Sequence, residues 1–225
     1  MRNIDGGLAD QIVRGDEGDA RSGLYARRVK RALDILLVVI SAPIALAIIV
    51  PAWIIARLDG GPGLYGHRRI GRDGRGFVCW KIRTMHGDAD ARLALLLAAD
   101  LAAARDWDAR RKLDCDPRVT RAGRLMRRLS IDELPQLWNV LRGEMSIVGP
   151  RPVTAEELAL YGTRRHYYLA CRPGVTGLWQ VSGRNRLSYE ERVALDQRYA
   201  EGIGLMRDIG LMLRTVLEVL RMSGS

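Results

Sequence analysis

The sequence predicts an α+β chain, predominantly helical, seated on one face of a membrane. Three observations carry this expectation. One apolar run, Ile35 to Ala56, is about as long as a bilayer-spanning helix. Basic residues crowd both of its ends, which keeps both on the same side. The 225-residue length leaves enough chain beyond the run for one compact domain, in which helical stretches outnumber strand-like ones.

Residues 1–26 are rich in glycine and acidic groups and are predicted to be a disordered tail. The apolar run starts too late for a cleaved signal, and Asp5, Asp10, Asp16, Glu17 and Asp19 stand where such a signal carries cations. Residues 27–59 form the membrane segment. A single spanning helix is the plain reading of ILLVVISAPIALAIIVPAWIIA. Against it, Arg27, Arg28, Lys30 and Arg31 precede the run, and Arg57, His67, Arg68, Arg69, Arg72 and Arg75 follow it. Pro43 removes an N–H near the middle and collides with the carbonyl of Val39, and Ser41 is placed to satisfy a backbone group freed there. A re-entrant helix–break–helix accounts for both features.

Residues 60–225 make the cytoplasmic domain. Gly60-Gly61-Pro62-Gly63 is a tight turn, and Leu64 to Met85 folds as a β-hairpin around Gly71-Arg72-Asp73-Gly74. Asp88 to Lys112 reads as helix. A basic helix starts near Thr120, a second is opened by Ser130, and Ser146 to Val148 is a short strand. Arg172-Pro173-Gly174 turns, and Ser188 with Glu191 forms a capping box for a further helix. From Arg207 to Arg221 an arginine recurs every seventh position along an apolar helix, which suits either a core edge or the lipid interface.

The formal charge of +10 marks a partner for anions. Nucleic acid fits poorly, because the arginines flank apolar runs and one Phe offers little base stacking. Cys79, Cys115 and Cys171 are scattered and odd in number, as expected of free thiols in a reducing cytosol.

The most informative stretch is Arg127-Arg128-Leu129-Ser130-Ile131-Asp132-Glu133-Leu134-Pro135-Gln136. It places two carboxylates at a helix start, where free N–H groups and the dipole favour negative charge, so both are expected to be ionised. Arg127 and Arg128 stand ready to hold phosphate. A capping box between Ser130 and Glu133 explains Glu133 by local structure alone, but it leaves Asp132 unexplained. An ionised carboxylate beside bound phosphate is what a phosphoryl-transferring nucleophile requires.

Lys81 and Arg83 alternate on one face of a strand, and a solvated face is the plain reading of that spacing. Stiffened turns carry Arg151 and Arg172, and Arg184-Asn185-Arg186 adds further guanidinium groups. Asp88-Ala89-Asp90 and Asp114-Cys115-Asp116 mimic the Asp-x-Asp metal motif of nucleotide-sugar enzymes, a short pattern that arises often by chance.

In order along the chain stand Lys30-Arg31-Ala32-Leu33-Asp34, the Ser41/Pro43 pair, Lys81-Ile82-Arg83-Thr84-Met85, Asp116-Pro117-Arg118-Val119-Thr120, Ser130 to Gln136, Gly143 to Pro152 and Arg172 to Arg184. With these motifs the chain resembles the bacterial monotopic phosphoglycosyl transferases, which start exopolysaccharide assembly on polyprenyl phosphate. The likeness runs from about Lys30 to Tyr199, and Tyr65 to Gly71 resembles most the small galactose- or glucose-1-phosphate transferases.

The resemblance implies Asp132 as nucleophile, Glu133 as its dyad partner and Mg²⁺ held by the two. It implies phosphate binding by Arg151 and Arg172, with Lys81 and Arg83 lining the same pocket. The implied substrates are a UDP-hexose and undecaprenyl phosphate, with UMP released at the cytoplasmic face of the inner membrane. A homo-oligomer is left open. Ile82 stands where an aromatic is usual, and Ala200-Glu201-Gly202-Ile203-Gly204 replaces the usual Asn-Trp-Ser. The competing expectations are a metal-dependent glycosyltransferase that releases UDP and a non-catalytic membrane-bound adaptor.

Overall fold

The computed structural model describes residues 23–110, 113, 116–182 and 187–220. Most of the expected tail, together with Asp114, Cys115, Arg184, Asn185, Arg186 and Arg221, lies outside the described residues. Residues 23–26, expected in the tail, are helical instead. They lead into a π-helical turn, Tyr25–Val29. Burial explains this: Tyr25 donates to Asp208 at 2.7 Å, and Tyr199 and Lys30 donate to the same carboxylate.

Helix α1 (Lys30–Leu58) follows without interruption, so the separate helices expected on either side of Pro43 are one helix in secondary structure, with Pro43 and Pro51 inside it. Proline removes one hydrogen bond and bends a helix without ending it when its neighbours supply partners. Ser41 Oγ donates to the Val38 carbonyl at 3.2 Å, next to the Val39 carbonyl that Pro43 leaves without a donor. Among the described residues α1 is the one helix long and apolar enough to cross a membrane.

Both ends of α1 are fixed to the same domain. Near its start Asp34 accepts from Ser146 Oγ (2.8 Å) and the Ile147 amide (3.0 Å), and Val38 packs with Phe77, Cys79, Val140 and Met145. Near its end Ala52 and Ala56 pack with Ile82 and Met126. Between them Val39, Ile40, Ile44 and Leu46 are more than half exposed.

The hairpin forms as expected, β1 (Leu64–Ile70) antiparallel to β2 (Gly76–Ile82), with Tyr65 opposite Lys81. Its turn uses left-handed backbone at Asp73 and Gly74, residue types that tolerate it. The single helix expected over Asp88 to Lys112 is two, α2 (Ala89–Ala99) and α3 (Leu101–Arg110), divided where Asp100 turns extended and caps the second through the amides of Ala102 and Ala103.

Helix α4 (Arg121–Arg128) starts where expected, with Thr120 Oγ1 accepting from the Gly123 amide. Helix α5 (Gln136–Arg142) leads to β3 (Ser146–Val148). Two short helices, α6 (Ala155–Ala159) and α7 (Arg165–Leu169), separate β3 from its parallel partner β4 (Gly174–Thr176). Then come α8 (Leu178–Val181), α9 (Tyr189–Glu201) with the expected Ser188–Glu191 capping box, and α10 (Leu205–Leu220). On α10, Met206, Leu213, Val216 and Leu217 are exposed, while Asp208 and Leu211 face inward. The described cysteines, Cys79 and Cys171, are free and buried.

Candidate active site

The acidic pair sits between α4 and α5 in one turn of 3-10 helix, Ile131–Glu133. The expected capping box does not form there. Ser130 adopts left-handed backbone (φ 56°) and its side chain caps nothing, while Glu133 accepts from Lys81 Nζ at 2.6 Å. A tertiary ion pair thus replaces the local motif, and Pro135, not Ser130, stands at the N-cap of α5.

Asp132 is 8% exposed. Burial, with Glu133's charge adding to it, pushes its carboxyl up to about 6 against the opposing pull of Lys81 and Arg127. The expectation that both carboxylates are held firmly ionised by a helix start is therefore corrected for Asp132: desolvation outweighs the cations, though the group remains mostly charged at neutral pH.

Of the expected phosphate-binding residues, Lys81 and Arg127 meet the acidic pair. Arg127 is held by donating Nε–H to Thr84 Oγ1 at 2.8 Å. Arg128 is exposed on α4. Arg83 is drawn from β2 towards the end of α1, where Nη2 donates to the Ala56 carbonyl at 2.7 Å and lies 3.9 Å from Asp59.

Arg172 donates to the Gly143 carbonyl at 2.9 Å, and Arg31 donates to the carbonyls of Val140 and Leu141. Both therefore satisfy the C-terminal end of α5, the opposite end from the carboxylates. The loops carrying Arg151 and Arg172 do meet, but backbone to backbone: a Cβ on Gly174 would lie 2.1 Å from the Gly149 amide nitrogen. Arg184 is outside the described residues.

Arg151 stacks over the Trp179 ring at 5.2 Å, and Arg192 lies 5.1 Å from the same ring. Arg192 escaped the sequence reading because its position on α9 looks like an ordinary solvated helix residue.

Asn139 also escaped it. Fully buried, it accepts from the Trp80 amide (3.1 Å) and donates to Val78 O (2.7 Å) and Glu144 (2.6 Å), so it docks α5 on β2 as an extra strand residue would. A polar residue inside Leu137-Trp138-Asn139-Val140-Leu141 was the available signal.

No group of three or more His, Cys, Asp or Glu converges on a metal position among the described residues. Two adjacent carboxylates, one of them destabilised by the other's charge, suit Mg²⁺, which takes one or two carboxylates and completes its shell with water and substrate phosphate. They do not make a closed zinc site.

A family model described as bacterial sugar transferase matches residues 25–222. The chain belongs to that family. An undecaprenyl-phosphate galactose phosphotransferase of Salmonella typhimurium is 44% identical over 200 residues, 89% of this chain and 42% of the relative. The chain thus spans less than half of that relative's length. The exopolysaccharide production protein ExoY of Sinorhizobium fredii is 46% identical over 198 residues, 87% of each chain. A UDP-glucose:undecaprenyl-phosphate glucose-1-phosphate transferase of Caulobacter vibrioides is 39% identical over 204 residues, 85% of this sugar transferase and 69% of the relative.

Proposed function

We propose that this sugar transferase moves hexose-1-phosphate, galactose or glucose, from a UDP-sugar to undecaprenyl phosphate and releases UMP, as the first step of exopolysaccharide assembly. The names of the Salmonella and Caulobacter relatives supply the substrate class. The observation that carries the chemistry is Asp132: a buried carboxylate, ionised at neutral pH, with Lys81 and Arg127 beside it.

An Asp132 oxygen attacks the sugar-linked phosphorus, and the phosphoanhydride bond to UMP breaks with its electron pair going to UMP. A phosphate oxygen of the acceptor then attacks the same phosphorus, and the Asp132 carboxylate departs. Glu133 is kept in register by Lys81, and Lys81 and Arg127 offset charge on the transferring phosphoryl oxygens. Mg²⁺ held by Asp132 and Glu133 would supply further neutralisation of those oxygens. One phosphoanhydride is broken and one made, so the reaction is readily reversible.

We further read α1 as dipping into one leaflet and returning, with the domain on the cytoplasmic face of the inner membrane. Packing of both its ends on β2, with an exposed apolar middle, supports that reading.

The rival UDP-releasing glycosyltransferase needs a free Asp-x-Asp pair. Asp116 is instead occupied by Arg118 at 2.7 Å, and Asp88 by Arg92 at 2.7 Å. Incubating purified protein with UDP-galactose or UDP-glucose and undecaprenyl phosphate should yield UMP, and donor alone should leave a hexose-phosphate adduct on Asp132 by mass spectrometry. Asp132→Asn should lower turnover at least roughly a thousandfold. Release of UDP would establish the rival, and undiminished turnover in Asp132→Asn would establish neither nucleophile nor mechanism.

A further inference from the structure

A pocket of about 290 Å³ opens between the end of α1 and the start of α4. That volume is near the lower bound for small-molecule sites, about 300 Å³. Its walls are mostly apolar, from Ile55, Leu58, Met85, Ala122 and Met126, and Arg83 closes one side. At the rim Ile55 is 45% and Leu58 80% exposed, and both belong to the apolar stretch of α1.

Three of the pocket's wall residues, Ala56, Ala122 and Met126, belong to an apolar cluster that also holds Ile131, the residue before Asp132. Ile82, Met126 and Ile131 lie in one apolar cluster. In each of these three segments the next residue is ionisable: Arg83, Arg127 and Asp132. Arg83 lines the pocket itself, and the turn that carries Asp132 packs on the same apolar cluster through Ile131. The Arg83 side chain is 11% exposed, and its Nε is buried without a hydrogen-bond partner. A buried N–H of a charged group left unpaired is costly, so a position beside an apolar pocket calls for an anion. Asp59, also at the pocket, pairs with His86 at 3.0 Å and more loosely with Arg83 Nη2 at 3.9 Å, which leaves Arg83 Nε still without a partner.

We infer that this pocket receives the phosphate-proximal isoprene units of the acceptor lipid, with Arg83 meeting the lipid's phosphate. The inference rests on the proposed acceptor reaction. The chemistry on the page selects that occupant over the donor: an apolar tail continuous with the membrane segment, carrying one phosphate beside the nucleophile. A UDP-sugar is polar throughout and would leave the apolar walls unmatched.

Filling the pocket should separate the two half-reactions. In Ala122→Trp, the burst of UMP on mixing with donor alone is expected within twofold of wild type, which also reports correct folding. The KM for undecaprenyl phosphate is expected to rise at least tenfold, and the Kd for farnesyl phosphate with it. Ile55→Trp, at the exposed rim where folding is not at stake, should act in the same direction. An unchanged acceptor KM in Ile55→Trp, together with an unchanged one in any Ala122→Trp protein that retains its burst, overturns the assignment. Normal farnesyl phosphate binding combined with weakened flotation on phosphatidylglycerol vesicles would give the pocket to a bilayer acyl chain and likewise overturn it. Absence of the UMP burst in the wild type would instead be a failure of the proposed reaction.

Discussion

At the scale of single residues, Asp132 ties activity and stability to one cause. Its carboxyl is raised to about 6 in the fold, chiefly by burial. In its proposed role as nucleophile it must be ionised, so kcat/KM for the donor should climb as pH rises through about 6, and Lys81→Met should move that limb upward because a cation opposing the rise is lost. Stability runs the other way. A carboxyl whose folded pKa exceeds its unfolded value favours folding fully below the unfolded value, and the benefit is lost as pH rises through the folded one. A shift from 3.8 to about 6 corresponds to roughly 3 kcal/mol as an upper figure. Asp132→Asn, which keeps the shape without the charge, should therefore be more stable than wild type at pH 8 by up to about 3 kcal/mol, with the difference vanishing below about pH 4. Urea denaturation at the two pH values measures this, and an Asn variant less stable at pH 8 would show that Asp132 is better solvated than its surroundings indicate.

At the scale of elements, what was legible in the sequence was local. Alternation around Gly71-Arg72-Asp73-Gly74 gave the hairpin, and Ser188 with Glu191 gave the start of α9, because strand period and capping depend on neighbours in sequence. The same capping rule failed at Ser130–Glu133, where Lys81, distant in sequence, competes for the glutamate. The stiff turn that carries Arg172 was visible in the sequence, whereas its bond to the carbonyl end of α5 was not, because that contact is made across the fold. Lys81 and Arg127 beside Asp132 were anticipated as residues, but the tertiary contacts that bring the elements together, such as the bonds from Asn139 of α5 to β2, have no counterpart in sequence pattern. Asn139→Leu keeps the branched shape at Cγ and removes those bonds, leaving the part-buried Trp80 N–H and Val78 C=O without their partner. A loss of about 3 kcal/mol in unfolding free energy is expected, with a lower kcat as the acidic turn at the head of α5 loses its support. A denaturation midpoint equal to wild type would mean that α5 is held on β2 by its apolar contacts alone.

At the scale of the whole molecule, the placement of α1 decides how, in the proposed reaction, a lipid phosphate and a water-soluble sugar nucleotide would reach one carboxylate. From Phe77 to Ile82 the strand β2 covers roughly 17 Å, and it packs against the first half of α1 at one end and the second half at the other. A bilayer core is about 30 Å thick. Two halves of a helix on opposite sides of that core would not both reach a strand so short, which is the argument for the proposed helix that enters and leaves by the same face. The arginines on both flanks fit the same arrangement. Single cysteines at Arg28 and Arg75, introduced with Cys115→Ser, provide the measurement. Cys79 and Cys171 can stay, since both are buried and burial pushes the Cys171 thiol up to about 12, where it is not a thiolate. In inside-out vesicles both introduced thiols should react with an impermeant maleimide, and in right-side-out vesicles neither should. Reaction of the two from opposite sides would restore a spanning helix and detach one half of α1 from the strand it packs on.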